Sequence, residues 1–127
     1  MVSNNLYTIL VVDDNRSNLF TARALIEEYI NARVILADTS TKALHELIKH
    51  SVDLIILDVH MENGMDGFEL AKIIKSRKKT EHIPIVFLTA ACITEEFKKK
   101  GFEIGAVDYL TKPIDDFLMI NRINVYL

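Results

Sequence analysis

A chain of 127 residues is one domain by length, and half of its residues are apolar, so a core can form without disulfide or metal staples. The formal net charge of -3 argues against a dedicated nucleic-acid binder, and the single cysteine, Cys92, excludes an internal disulfide framework and suits a reducing cytosol. The apolar run Leu6 to Val12 is too short for a membrane span and is wrongly flanked for a signal peptide. The expectation is a cytoplasmic protein with no membrane contact and no direct nucleic-acid contact.

Short apolar runs alternate with longer segments of helical period. Tyr7–Val12 reads as the first strand, and Leu19, Ala22, Ile26 and Tyr29 then mark the buried face of an amphipathic helix. Val34–Ala37 is the second strand; after Ser40 a helix carries Ala43, Leu44, Leu47 and Ile48 inward. Leu54–Asp58 is the third strand, apolar on both faces until it breaks off at a carboxylate, as in a parallel sheet covered by helices on each side. Asp66 followed by Glu69 has the spacing of a helix N-cap, so the third helix starts there, carries Leu70, Ile73 and Ile74, and ends in Lys75, Arg77, Lys78 and Lys79. Ile85–Leu88 is the fourth strand. A fourth helix begins near Thr94 with Phe97, Gly101 and Ile104 on one side, and Lys98, Lys99 and Lys100 form a solvated face. Val107–Leu110 is the fifth strand, and the residues from Asp115 onward form the last helix. Strict alternation of five strands and five helices predicts a three-layer α/β sandwich with a parallel sheet.

The polar residues stand where the strands end. The first strand runs into Asp13 and Asp14, the third ends in Asp58, the fourth runs into Thr89 and the fifth into Lys112. In a flavodoxin-like (βα)5 sheet of order 2-1-3-4-5, strands one and three meet at the topological switch point, where such sheets hold ligands. Neighbouring strands lie about 4.8 Å apart, so Asp13 and Asp14 flank Asp58 on one side and Thr89 on the other. Lys112, two spacings away, has the reach to join them. Asp38 ends the edge strand and falls outside the cluster. Three carboxylates with one lysine would raise their own pKa values unless a divalent cation joined them, and an all-oxygen donor set points to magnesium, with manganese in its place possible. The arrangement fits an aspartate nucleophile that captures a phosphoryl group.

These residues resemble a known family. Val-Asp-Asp-Asn at 12–15, Asp58 after an apolar strand, Met-Asp-Gly at 65–67, Thr89-Ala90 and Lys112-Pro113 together are similar to the receiver domain of two-component response regulators, over the whole span 1–127. The resemblance implies that Asp58 takes phosphate from a phosphohistidine on a sensor histidine kinase or phosphotransfer protein. It implies magnesium ligation by Asp14, Asp58 and the backbone carbonyl of His60, with Asp13 acting mainly through water. It implies that Thr89 and Tyr109 move together as a switch which changes binding of a downstream effector, and that the Lys112-Pro113 bond is cis. Read from residue type alone, Tyr109 is an ordinary core aromatic.

One departure stands out. The family pattern Asp-x-x-Met-Pro-x-Met-Asp-Gly is replaced by Asp58-Val-His-Met-Glu-Asn-Gly-Met-Asp-Gly67, one residue longer, with Glu62 where proline is common. A turn at Asn63-Gly64 is expected to absorb the insertion. His45, His50 and His82 lack shared-ligand spacing, and Cys92 reads as an inert thiol. The last helix, with Phe117, Leu118, Met119, Ile120, Ile123, Val125, Tyr126 and Leu127, is greasier than one buried stripe requires. Homodimerisation through the fourth helix, fifth strand and fifth helix is therefore worth testing. One domain uses the whole chain, which puts any effector on another chain or a removed segment. The alternatives are a haloacid-dehalogenase-type aspartyl-phosphate phosphatase and a phosphorylation-independent interaction module. The first would carry Asp-x-Asp at strand one and a cap domain, and the complete site argues against the second. A nucleotide-binding domain would need a glycine-rich loop after the first strand.

Overall fold

The computed structural model describes residues 6–62, 64–90 and 94–127. Five strands, β1 (Tyr7–Val12), β2 (Ala32–Ala37), β3 (Leu54–Asp58), β4 (Ile85–Thr89) and β5 (Asp108–Thr111), alternate with five helices. These are α1 (Arg16–Tyr29), α2 (Ser40–Lys49), α3 (Gly67–Ser76), α4 (Glu95–Ile104) and α5 (Asp116–Tyr126). All strand pairs are parallel, in the order β2-β1-β3-β4-β5. The flavodoxin-like sandwich expected from the alternation is the one observed.

The period-two geometry of a strand divides the core. Ile55 and Leu57 join Leu10, Phe68, Leu70, Ile74 and Phe87 beneath α2 and α3, while Leu54 and Ile56 join Ile9, Val11, Leu19, Ile26, Met119 and Ile123 beneath α1 and α5. The same alternation carries Asp13, following Ile9 and Val11, and Asp58, following Leu54 and Ile56, toward the α1/α5 side of the sheet's mouth. Each helix starts on a side-chain cap. Asn15, Thr39, Asp66, Thr94 and Asp115 accept from the backbone N–H three residues on, which satisfies a donor the helix itself leaves unpaired.

Several boundaries and faces differ from the sequence-based expectation. β2 begins at Ala32, two residues early, and β5 runs from Asp108 to Thr111, one residue late. Tyr29 is exposed, because the inward position four residues after Ile26 falls on Ile30, which is buried. Ile48 is exposed for a similar reason: Leu47 takes the inward direction and Ile48 lies about 100° further round the helix. α3 stops at Ser76, so only Lys75 lies in its last turn; its ammonium donates to the carbonyls of Glu81 and Ile83 at 3.0 and 2.7 Å instead of to the helix end. On α5, Met119 and Ile123 are buried, whereas Phe117 and Val125 are 76% and 70% exposed. That helix therefore presents apolar surface outward as well as inward. Among the described residues, no helix is long and apolar enough to cross a membrane. Cys92 and Asn63 lie outside the described residues.

Candidate phosphoryl-acceptor site

The mouths of β1, β3 and β5 bring the predicted cluster together. Carboxylate oxygens of Asp13, Asp14 and Asp58 all lie within 4.8 Å of one another, with Asp13 and Asp58 buried and Asp14 half-buried. The Lys112 ammonium donates to Asp13 Oδ2 at 3.2 Å and to Asp58 Oδ2 at 3.0 Å. Asp58 Oδ1 accepts the His60 N–H at 3.0 Å. Asp13 also accepts the Asn15 N–H at 2.9 Å and the Asn18 side-chain amide at 3.3 Å. Asp14 Oδ2 accepts the Glu62 N–H at 3.0 Å. A cavity of about 270 Å³ opens over the three acids, walled by His60, Glu62, Ala90 and Lys112.

Thr89 is fully buried, and its hydroxyl has no hydrogen-bond partner among the described residues. A buried hydroxyl left unpaired is costly, and this one lies at the same end of the sheet as the three acids. Lys112 is drawn in by main-chain pairing, its N–H donating to the Thr89 carbonyl at 2.7 Å, and the Lys112-Pro113 bond is cis, as the resemblance implied. Asp38, excluded by its edge position, is held instead by Arg16 and Lys42.

Charge within the site is only partly balanced. Burial pushes the Asp58 pKa up, the Asp13 charge adds to this, and Lys112 and the His60 N–H oppose it; the net direction is upward. Burial alone would lower the Lys112 pKa, but hydrogen bonds and attraction from Asp58 and Asp13 outweigh it and the net direction is upward too. A carboxyl raised above its unfolded value binds more protons folded than unfolded, so its ionisation opposes folding as pH rises through the folded pKa. Asp58→Asn should therefore stabilise the metal-free chain at neutral pH by on the order of 1 kcal/mol. The gain should vanish below the ordinary aspartate pKa of about 3.9. Urea unfolding at pH 7 and pH 3.5 checks this; equal stability of the two chains at pH 7 would contradict it.

Two further features were not legible beforehand. The Tyr109 ring is half-buried, packs against Phe87 and Phe102, and its hydroxyl donates to the Phe97 and Lys98 carbonyls of α4 at 3.0 and 3.2 Å. Burial raises its pKa. Gly101 makes room for this, since a Cβ there would overlap the Tyr109 hydroxyl. The His60 ring stacks on Phe97, with centroids 5.8 Å apart, so the loop after Asp58 touches α4 directly. In the lengthened loop, Gly64 adopts φ 76°, a left-handed value suited to a turn.

A parallel α/β sheet whose C-terminal edge gathers three acids, a buried threonine and a lysine is the architecture of aspartate-centred phosphoacceptor folds. Residues 9–124 match the response regulator receiver domain, and the chain belongs to that family, the receiver domains of two-component signal transduction. It is 39% identical over 121 residues to a Vibrio cholerae protein named "Probable cyclic di-GMP phosphodiesterase", covering 94% of this chain and 26% of that one. It is 40% identical over 117 residues to the response regulator PleD of Caulobacter vibrioides, covering 91% of this chain and 25% of that one. The chain thus spans about a quarter of the length of these curated relatives. The chemotaxis protein CheY4 of Vibrio cholerae has the same fold, with a TM-score of 0.89 at 27% identity over 96% of this chain and 99% of that one.

Proposed function

We propose that Asp58 is the phosphoacceptor of this receiver domain, and that residues 1–127 form that one domain. The observation that carries the reading is the Asp58 carboxylate itself, buried, in contact with the Lys112 ammonium and adjacent to Asp13 and Asp14. The donor for transfer is a phosphohistidine on a sensor histidine kinase or phosphotransfer protein. An Asp58 oxygen attacks phosphorus, the N–P bond breaks as the O–P bond forms, and the imidazole leaves with the electron pair.

The three clustered carboxylates are a hard-oxygen donor set that fits magnesium, with manganese as substitute. Asp14, Asp58 and the His60 carbonyl would hold the ion, with Asp13 acting through water; once bound, it offsets charge on the incoming phosphoryl oxygens. Thr89 donates its buried hydroxyl to a phosphoryl oxygen and Lys112 pairs with the charge that remains. Tyr109 moves with Thr89 as the switch, changing the surface offered to a downstream effector. Each tenfold shift in that balance needs about 1.4 kcal/mol of differential stabilisation. The domain promotes only its own phosphorylation and dephosphorylation, and works in the cytoplasm.

Acetyl phosphate with magnesium should add about 80 Da, one phosphoryl group, to wild type at Asp58 and nothing to Asp58→Asn, read by mass spectrometry. An adduct on another residue, or turnover of an added phosphomonoester, would favour a phosphatase or a different acceptor. The exposed apolar residues of α5 further support a homodimer through α4, β5 and α5. Sedimentation velocity at high micromolar concentration should show a dimer in the phosphorylated chain; a strict monomer in both states would remove it.

A further inference from the structure

The three acids are not oriented alike. Among the described residues, Asp13 accepts from three donors and Asp58 from two, but Asp14 accepts from one only, the main-chain N–H of Glu62 at 3.0 Å. That donor belongs to the loop carrying the extra residue, at the position where the family commonly has proline. Proline has no N–H, so a chain of the common pattern cannot make this bond through that residue. Glu62 also walls the cavity over the acids, while its side chain is exposed and accepts or donates no hydrogen bond within the described residues.

We infer that the Glu62 N–H is a positioning donor for Asp14: a glutamate in proline's usual place supplies a main-chain N–H to this carboxylate and fixes the direction in which its free lone pairs face the cation. This rests on the reading of Asp14 as a metal-holding residue. A carboxylate ligand held by an outer hydrogen bond enters the complex already oriented, and losing such a bond typically weakens metal affinity by about 10- to 100-fold. The effect is local because Asp58 and Asp13 keep their own donors.

The test is a calorimetric titration of the full chain with Mg2+ alone, and with Mn2+, on wild type and three variants. Glu62→Pro deletes the N–H and the side chain. Glu62→Ala keeps the N–H and deletes the carboxylate. An ester in place of the 61–62 amide, made by incorporating the α-hydroxy analogue of glutamate, deletes the N–H alone and tests the bond even if proline disturbs the loop. The proline and ester chains should bind about tenfold more weakly, and Glu62→Ala within about twofold of wild type. The metal-free unfolding midpoint of the ester chain should stay near wild type, which separates positioning from a structural role that would move the midpoint and spare the affinity. Wild-type affinity in the ester chain would overturn the inference, as would equal weakening in Glu62→Ala, which would assign the effect to the side chain. Absence of saturable binding in wild type would instead overturn the metal reading of the site, and the inference with it.

Discussion

Gly67→Ala is expected to be the most damaging single-methyl change in the protein. A Cβ at residue 67 would overlap the Asp58 carbonyl oxygen and lie 2.7 Å from the Val59 Cα. Both neighbours are main chain, so no side chain can step aside. The Gly67 N–H also donates to the Val59 carbonyl at 2.9 Å, which seats the first turn of α3 against the end of β3. Relief requires α3 to lift from the strand that carries Asp58. Overpacking of this kind destabilises by about 3 kcal/mol, on the order of a 10 °C fall in melting temperature for a chain this long. Because the displaced atoms belong to Asp58 and the residue after it, the carboxylate shifts as well, and a shift of about 1 Å can reduce reactivity roughly 100-fold. Thermal unfolding and the rate of acetyl phosphate labelling check the two halves separately. A variant with wild-type labelling would show that α3 can move without dragging the strand end.

Lys112→Ala is the second large effect. It leaves Asp13 and Asp58, 2% and 3% exposed, with no cation between them. Breaking a fully buried pair costs about 3–5 kcal/mol. The lysine side chain is 31% exposed, so a discounted value of about 2 kcal/mol at pH 7 is expected. The pH dependence follows from the sign of the Lys112 shift. Its folded pKa is raised, so its contribution is present below about 10.5 and fades as pH climbs through the folded value. On the acid side the contribution fades as Asp58, whose pKa burial raises, takes up its proton. The stability gap between wild type and variant should thus be widest near neutrality and close toward pH 3, as measured by urea unfolding. Millimolar magnesium should narrow it at pH 7, since a cation returns to the site. A gap unchanged between pH 3 and pH 7 would mean that packing of the lysine stem matters more than its charge.

These two residues also illustrate how the sequence relates to the site. Lys112 was legible, because a lysine just past the fifth strand has the length to cross to the third. Asp13, Asp14, Asp58 and Thr89 were legible for a related reason: each follows an apolar run, and parallel strands deliver all their C-terminal ends to one edge. Gly67 was visible as part of a motif and a helix start, but its closeness to the Asp58 carbonyl is a distance between main chains that no residue pattern encodes. The Glu62 N–H is harder still to anticipate, since every residue except proline carries such a donor and only the loop path decides where it points.

The same division runs through the whole molecule. The amino-acid sequence alone determined the order of elements, the parallel sheet, the starts of the last three helices and the acids at the strand mouths, because hydrophobic period, capping chemistry and strand ends are local and repeat on a known spacing. Only the tertiary structure decided that Ile30 and not Tyr29 faces inward, that Gly101 clears space for the Tyr109 hydroxyl, and that His60 stacks on Phe97. Those outcomes depend on how far each helix is rotated against its neighbours, and that angle is set by the packing of side chains distant in sequence.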